Sequence, residues 1–376
     1  MSRRRVILTA TALATAVGVL SSLAWLRSLD AEIEARFRGR LFAIPSRVYS
    51  APLLIYPGLD VQRAGLIERL HRLNYHVARE EVPDPGEYAV GWREIEIGLR
   101  PFRYSYGERP GGRLYLGLDG GSRVRTLRDA RNRDLDTAEI EPELIAEFHG
   151  ASREDRRLVR LEEVPPHLIE ALLSIEDRRF YEHRGVLPSR ILGAALANLR
   201  AGRIVQGGST LTQQLVKNFY LSSERTLSRK LREAVMALLL ERRHGKREIL
   251  ETYLNEVYMG QRGSVAIHGM GEAAHYYFAK EVSELTLAEA ALLAGIIKGP
   301  ALYSPYLHPE RARERRNLVL DVMLRDRRIS PEAHAHAREE DLGVRGFALE
   351  DNSAPYFVSF LRQDLAAVYG EEILAS

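Results

Sequence analysis

Residues 166–185 read PHLIEALLSIEDRRFYEHRG in one-letter code, and their pattern indicates the fold class of the domain around them. Their first half places apolar residues at helical spacing over 166–176 and ends in an acidic pair, Glu176 and Asp177. Further helical patterns follow at 188–200, 209–221, 226–243, 246–258 and 286–297. Strand signals between them are almost absent, so we predict a mainly α domain over residues 141–330.

The acidic pair is the first candidate for chemistry. Glu176 follows an apolar helix, and its apolar neighbours in the sequence are Leu172, Leu173 and Phe180. A carboxylate that such side chains partly desolvate can act as a base. The alternative is a helix end with solvated acids, and a histidine such as His183, taken alone, is more often structural than catalytic.

A second block spans residues 206–218, QGGSTLTQQLVKN, where a Gly-Gly loop leads into a helix opened by Ser209 and Thr210. Free backbone N–H groups at a helix start favour an anion. Gln213 and Lys217 lie one turn apart on one face of this helix. The block is not a P-loop, because no Gly-Lys-Ser/Thr follows the glycines. A merely capped helix is the alternative.

A third block places Arg229 and Lys230 four and three residues before Glu233, on one helix face. One interpretation is a surface ion pair. The other is a pair of cations for a phosphate, with the carboxylate orienting them or holding a divalent ion. A fourth block, residues 246–260 with Tyr253, has the pattern of a core helix beneath the site.

Together and in this order, the blocks resemble the motifs of the peptidoglycan glycosyltransferases, glycosyltransferase family 51. Residues 176–185 match E-D-x-x-F-x-x-H-x-G, and residues 207–214 match G-x-S-T-x-x-Q-Q. The pattern R-K-x-x-E falls on 229–233, and K-x-x-I-L-x-x-Y-L-N-x-x-x-x-G falls on 246–260. A fifth motif, R-x-x-x-V-L, falls on 315–320.

The resemblance covers residues 160–325 and implies a lysozyme-like domain that polymerises lipid II onto a growing glycan chain, with undecaprenyl diphosphate as leaving group. It implies that Glu176 is the catalytic base and that Glu233 is a second catalytic residue beside the diphosphate, holding a divalent cation, Mg²⁺ or Mn²⁺. The substrate-binding residues that it implies are Asp177, His183, Ser209, Thr210, Gln213, Gln214, Lys217, Asn218, Arg229 and Lys230. It also implies that moenomycin, a mimic of the lipid-linked donor, binds there.

The N-terminus predicts a membrane anchor. Three arginines precede an uncharged run over residues 6–26, and about 20 apolar residues cross a bilayer core. The arginines place residues 1–5 in the cytoplasm, so we expect a single-pass protein of the bacterial inner membrane with its catalytic part in the periplasm. Residues 27–45 carry mixed charge and are expected to form a solvated juxtamembrane stalk. A cleaved signal peptide is the alternative.

Residues 46–140 predict a small α/β domain. Strand patterns at 87–90, 94–99 and 113–118 lead into an Asp-Gly-Gly turn, and Asp60 is placed to cap a helix. The segment contains no cluster of catalytic type and resembles the regulatory domain of the 1b-type bifunctional class A penicillin-binding proteins. We therefore expect it to bind an outer-membrane lipoprotein activator; an inert spacer is the alternative.

The amino-acid composition excludes several kinds of partner and chemistry. With 54 Lys and Arg against 51 Asp and Glu, the net charge of +3 does not suit a nucleic-acid partner. The absence of cysteine excludes disulfides and thiol nucleophiles. A Ser-x-x-Lys or Lys-Thr-Gly transpeptidase motif does not occur, so residues 331–376 are expected to be a linker towards a missing transpeptidase domain. A lysozyme-like hydrolase and a non-catalytic scaffold remain alternatives, while expected partners include membrane lipid and cell-division or elongation proteins.

Overall fold

The structure is a computed structural model, and it describes most of the chain. The described residues are 3–38, 42, 46–78, 83–104, 107–148, 154–190, 193, 199–200, 202, 208–221, 226–345 and 355–369. The chain forms two compact units. The first combines Met1–Ile44 with Arg153–Val344, and the second combines Pro45–Ser152 with Arg345–Ser376.

The secondary structure is mixed. In chain order the described helices are α1 (Arg3–Arg38), α2 (Leu66–Arg72), α3 (Pro166–Glu176), α4 (Leu211–Tyr220), α5 (Leu227–Arg243), α6 (Lys246–Glu256), α7 (Met270–Phe278), α8 (Leu287–Ile296), α9 (Pro309–Arg325), α10 (Pro331–Glu339) and α11 (Pro355–Tyr369). The described strands are β1 (Ser46–Tyr49), β2 (Leu53–Ile55), β3 (His76–Val77), β4 (Glu87–Val90), β5 (Glu94–Leu99), β6 (Phe102–Tyr104), β7 (Gly107–Arg109), β8 (Gly112–Leu118), β9 (Val124–Asp129), β10 (Ala138–Ile140), β11 (Leu144–Phe148), β12 (Glu154–Arg156), β13 (Tyr258–Arg262) and β14 (Val265–His268).

The first unit packs helices α3 to α9 around one apolar core, and it also contains a sheet. Strand β14 lies between β12, to which it is parallel, and β13, to which it is antiparallel. Met259 and Ile267 of this sheet are buried in the same core as the helices. The expected mainly α class therefore has to be corrected to a mixture of helix and sheet. These strands are short and lack a clear apolar alternation, so a helical pattern dominates the sequence around them.

Helix α1 contains the predicted anchor, residues 6–26, and continues without a break to Arg38. Within the part of the chain that the structure describes, no helix is both long enough and apolar enough to cross a membrane.

The end of α1 differs from the solvated stalk expected over residues 27–45. Leu29 and Ile33, one turn apart, are buried in the core of the first unit. Asp30 accepts a hydrogen bond of 2.6 Å from Arg243 Nε of α5. Two apolar residues at i and i+4 are enough to dock one helix face, and the flanking charges conceal that pair in the sequence.

The second unit is built on a five-stranded sheet in the order β3-β4-β5-β8-β9, with β3 and β4 parallel and the other pairs antiparallel. The three strands predicted there are present, as is the turn after β8, where Asp119 Oδ1 accepts the Gly121 N–H. Asp60 does not cap α2. Its carboxylate accepts the N–H groups of Gln62 and Arg63 in a turn that precedes the helix.

Residues 331–376, expected to be a linker, contain two helices. Ala337 of α10 is buried beside Val319 and Leu320 of α9 in the first unit. Leu365 of α11 packs on Phe148 within the second unit. Each helix thus belongs to a folded unit.

Candidate active site

Glu176 is the last residue of α3, and its carboxylate is half-buried. Gln214 of α4 donates a hydrogen bond of 2.7 Å from Nε2 to Glu176 Oε2. The hydroxyl of Tyr253, from α6, donates in turn to Gln214 Oε1 at 3.0 Å. The carboxylate predicted to be the base therefore has one neutral donor, which is itself held from behind by a buried tyrosine.

The neighbouring acid, Asp177, is 1% exposed and is committed to the protein. Its Oδ2 accepts from His183 Nε2 at 2.9 Å and from the Leu211 N–H at 2.9 Å, and Arg190 Nη1 donates to Oδ1 at 3.4 Å. The Gly185 N–H donates to His183 Nδ1, which leaves the ring proton on Nε2 facing Asp177. Asp177 thus joins the end of α3 to the start of α4.

We predicted that the start of α4 binds an anion of a ligand. In the structure, the carboxylate of Asp177 lies there and accepts the Leu211 N–H. Thr210 Oγ1 accepts the Gln213 N–H, and Gln213 Oε1 accepts the Thr210 N–H, which together make a capping box. Thr210 Oγ1 also donates to the Gly185 carbonyl at 2.5 Å. Since Thr210 and Gln213 are paired inside the protein, their role in binding substrate stays a prediction. Of the Gly-Gly loop, residue 207 lies outside the described residues.

Gly185 shows why the first motif ends in glycine. Its φ is +91°, and a Cβ there would lie 2.4 Å from the Ala237 carbonyl oxygen of α5. Only glycine adopts this backbone conformation easily and also allows that approach.

The second charged group of the site lies at the start of α5. Lys230 Nζ lies 2.6 Å from Ser209 Oγ and contacts Glu233 Oε1, and Arg229 Nη1 lies 3.9 Å from Glu233 Oε2. Glu233 is 1% exposed. Its Oε2 and the Nε of Arg229 are both buried without a hydrogen-bond partner among the described residues. Buried polar atoms left unpaired are costly, so this pair is suited to a charged ligand that completes it.

Lys217 and Asn218 lie further along α4. Both side chains are exposed, and within the described part of the chain Lys217 makes no ion pair. Lys217 lies three residues after Gln214, on the same helix face. We call Glu176, Asp177, His183 and Gln214 the acid half of the site, and Lys217, Arg229, Lys230 and Glu233 the cation half.

A buried acid that the motifs do not include, Glu241, lies next to His183 of the acid half. Glu241 Oε1 accepts from Thr212 Oγ1 at 2.5 Å and from Lys246 Nζ at 2.6 Å, and it lies 3.7 Å from His183 Nδ1. The signal in the sequence that could have identified Glu241 is an acid directly after the apolar residues 234–240 of α5.

Arg315, from the fifth motif, supports the acid half from α9. Its Nε donates to the Gly295 carbonyl at 3.2 Å. Burial lowers the pKa of Arg315, and the nearby charge of Glu176 opposes that shift. The pKa of Tyr253 is raised well above its usual value, first by burial and then by the charges of Glu176 and Asp177. Tyr253 therefore keeps its proton and remains a donor.

A divalent cation would have one protein ligand in this site. The described residues contain no group of three or more His, Cys, Asp or Glu side chains that could hold a metal ion. Glu233 Oε2 is buried and has no hydrogen-bond partner among the described residues, and its ion-pair contact with Arg229 Nη1 is long, at 3.9 Å. Mg²⁺ commonly takes one or two carboxylates together with substrate phosphates, so the residues fit a cation shared between Glu233 and a bound diphosphate.

The site has a half-buried carboxylate on one side and a group of cations on the other, an arrangement that suits a group-transfer enzyme with an anionic leaving group. Residues 141–324 match the family model described as "Transglycosylase", and residues 55–140 match "Bifunctional transglycosylase second domain". Residues 141–324 are therefore a transglycosylase domain, which agrees with the family that the motifs predicted.

Similar proteins agree with this assignment. Penicillin-binding protein 1B of Vibrio cholerae is 42% identical over 348 residues, which are 92% of this chain and 44% of that protein. Penicillin-binding protein 1B of Escherichia coli is 38% identical over 345 residues, 92% of this chain and 41% of that protein. Penicillin-binding protein 1A of Aquifex aeolicus is 46% identical over 219 residues, 57% of this chain and 29% of that protein. The chain thus spans less than half the length of each of these relatives.

Proposed function

We propose that this chain polymerises lipid II into glycan strands. Glu176 accepts the proton of the acceptor 4-hydroxyl while that oxygen attacks the anomeric carbon of the lipid-linked chain. The bond from that carbon to the diphosphate breaks, and undecaprenyl diphosphate leaves with the bonding electrons. The observation that carries the proposal is that the site contains both a half-buried carboxylate, held by a neutral donor, and a cation cluster in which Arg229 Nε and Glu233 Oε2 lack hydrogen-bond partners among the described residues.

The cation half would receive the leaving group. Lys217, Arg229 and Lys230 supply positive charge that is fixed before the reaction, which stabilises charge developing on the diphosphate. Glu233 holds Lys230 in place and would provide the protein ligand of a bound divalent cation, which when present would neutralise further phosphate charge. A glycosidase has no need of such cations, so this half favours a transferase over the lysozyme-like hydrolase.

We also propose that residues 6–26 anchor the protein in the bacterial inner membrane, with the catalytic part in the periplasm. Leu13, Val17, Leu20 and Leu23 of α1 are exposed apolar side chains, as an anchor in lipid requires. An anchored enzyme would meet a substrate whose lipid tail stays in the bilayer. Of the helical pattern predicted at 188–200, residues 191–192 and 194–198 lie outside the described residues.

The unit around residues 46–140 is proposed to receive an outer-membrane lipoprotein activator, and cell-division or elongation proteins are proposed as further partners. The match of 55–140 to the second domain of bifunctional transglycosylases supports a regulatory role. Deleting residues 46–140 should leave basal polymerisation largely intact and remove stimulation. Loss of basal activity in a folded deletion protein would contradict this role.

The test of the main proposal offers the purified chain two substrates in detergent with Mg²⁺. With labelled lipid II, we expect polymer that grows with time on a gel and stops with moenomycin. With preformed glycan strands, we expect no release of muropeptides. Release of muropeptides would favour the hydrolase, and no reaction with either substrate would favour the scaffold.

A further inference from the structure

Tyr253 lies behind the candidate base and touches it only through Gln214. It is 1% exposed and belongs to α6, which the sequence presents as a core helix. Its hydroxyl reaches Gln214 Oε1 at 3.0 Å, and Gln214 Nε2 reaches Glu176 Oε2 at 2.7 Å. Three elements, α6, α4 and α3, thus contribute one hydrogen-bonded group each, in a row that ends at the base.

The direction of these hydrogen bonds follows from charge. An ionised Glu176 only accepts hydrogen bonds, so the Gln214 NH₂ must face it and the Gln214 carbonyl must face Tyr253. Tyr253 then has to be the donor. Without a partner for its carbonyl oxygen, the Gln214 amide is free to rotate. In the rotated state the amide oxygen faces the carboxylate of Glu176, and the two oxygens repel each other.

We propose that Tyr253 is a positioning residue for the transfer reaction, holding the Gln214 amide in the orientation that binds and stabilises the ionised base. The inference rests on the proposed function, because it takes Glu176 to be the base. It gives the fourth sequence motif a task beyond core packing: its tyrosine orients a glutamine of the second motif towards the carboxylate of the first.

The other groups around Glu176 do not replace this interaction. Asp177, the next residue, is occupied by His183, Arg190 and the Leu211 N–H. Arg315 of α9 acts on Glu176 through its charge, while its Nε donates to the Gly295 carbonyl. On α8, which also packs against α3, the acidic side chain is that of Glu289, which binds Lys280.

A matched control exists in the same unit. Tyr277 is also 1% exposed, and its hydroxyl donates to a single acceptor, the Met259 carbonyl, at 2.8 Å. Tyr277→Phe and Tyr253→Phe each remove one buried hydrogen bond and leave a ring in place. A purely structural role for both hydroxyls predicts similar losses of stability and no change in the reaction.

The experiment measures polymerisation of lipid II by the full chain, its Tyr253→Phe and Tyr277→Phe variants, Gln214→Leu and the Tyr253→Phe/Gln214→Leu double variant. For Tyr253→Phe we expect kcat to fall about 10-fold, the scale of one oriented hydrogen bond, with KM changed by less than about 2-fold. Because the ionised base loses its donor, the acid limb of the kcat profile should move to higher pH. Tyr277→Phe should match the wild type.

The double variant and a spectroscopic titration provide two further tests of the proposal. The double variant should be no slower than Gln214→Leu alone, because both changes remove the same interaction. Carbon-13 NMR of the Glu176 carboxyl should show its titration moved to higher pH in Tyr253→Phe, whether or not the chain polymerises lipid II. Wild-type kcat and an unmoved carboxyl titration in Tyr253→Phe, or multiplicative losses in the double variant, would overturn the role of Tyr253. Absence of polymerisation by the wild type would overturn the proposed function instead.

Discussion

The two halves of the candidate active site satisfy their charges in different ways. In the acid half, Asp177 accepts three hydrogen bonds from within the protein, and Glu176 has a donor that is held by another residue. In the cation half, Lys217 is exposed, and Glu233 Oε2 and Arg229 Nε lie buried without a hydrogen-bond partner among the described residues. Folding alone thus provides hydrogen bonds to the acid half, whereas we propose that a ligand completes the cation half.

This difference separates two kinds of mutational effect. Substitutions in the acid half should cost folding stability or turnover, because its groups are bonded before substrate arrives. Substitutions in the cation half should cost ligand affinity, because its charges are not yet fully used. Two residues that lie only two positions apart in the chain contact the two halves: Ser209 contacts Lys230, and Leu211 contacts Asp177.

The largest effect on stability is expected for Asp177→Asn. The asparagine NH₂ would face one of the donors that now bind the carboxylate, leaving buried groups unpaired. We expect the free energy of unfolding to fall by about 2–4 kcal/mol, measured by urea denaturation. An Asp321→Asn variant, which alters a surface pair of Asp321 with Arg338, serves as the control. If Asp177→Asn were as stable as the wild type, the hydrogen bonds of Asp177 would not contribute to folding as we infer.

Lys217→Ala should show the opposite pattern. The side chain is exposed and pairs with no described acid, so the free energy of unfolding should change by less than about 0.5 kcal/mol. Moenomycin affinity should weaken by about 1–3 kcal/mol, the scale of a charge-assisted contact, measured by calorimetry. Arg63→Ala, which removes an 86% exposed cation from the second unit, should leave affinity unchanged. Unchanged affinity in Lys217→Ala would remove this lysine from the cation half.

Glu233→Gln tests whether the cation half also holds a metal. Its neutral amide is a weaker ligand for a divalent ion, so the Mg²⁺ concentration for half-maximal polymerisation should rise about 10-fold. The measurement is a Mg²⁺ titration of the initial rate. If the variant needs the same Mg²⁺ concentration as the wild type, Glu233 only orients Lys230 and Arg229.

The smallest effect is expected outside both halves, at Asp30 on α1. A hydrogen bond from Arg243 is the main cause that lowers the pKa of Asp30. A lowered pKa in the folded state means that the pair stabilises the protein above the unfolded pKa of about 4. That contribution is lost as the pH falls through the lower, folded-state value. Asp30→Asn should therefore reduce stability by about 0.2–1 kcal/mol at pH 7 and by nothing once Asp30 is protonated. If the stability difference between Asp30→Asn and the wild type persisted at acid pH, the effect would come from packing and not from the ion pair.

The sequence predicted the elements that carry strong periodicity. Helix α3 begins and ends at the predicted residues, and α4 to α6 deviate by at most two. The sheet of β12, β13 and β14 was missed because its strands are short and its order joins residues about a hundred positions apart. The docking of Leu29 and Ile33 was missed because charged neighbours conceal a two-residue apolar stripe.

The site was predictable as a set of residues, though its internal pairing was not. The motifs identify Thr210, Gln213 and Asp177, but only the structure shows how their polar atoms are hydrogen-bonded. Thr210 and Gln213 bond to each other, and Asp177 bonds to the N–H of Leu211 at the start of α4. Arg190 and Glu241 lie outside those motifs, and a single charged residue has no local pattern that reveals a distant partner. The row from Tyr253 through Gln214 to Glu176 joins three separate motifs and therefore depends on tertiary structure.

We propose that the acid half performs proton transfer while the cation half binds the lipid-linked diphosphate. The most direct test measures turnover of lipid II and affinity for moenomycin in the same Glu176→Gln protein. Because the amide keeps the shape and cannot accept the proton, turnover should fall by about 10²–10⁴-fold, while moenomycin affinity stays within about 3-fold of the wild-type value. Near wild-type turnover in Glu176→Gln, or a loss of affinity as large as the loss of turnover, would contradict the division of labour between the two halves.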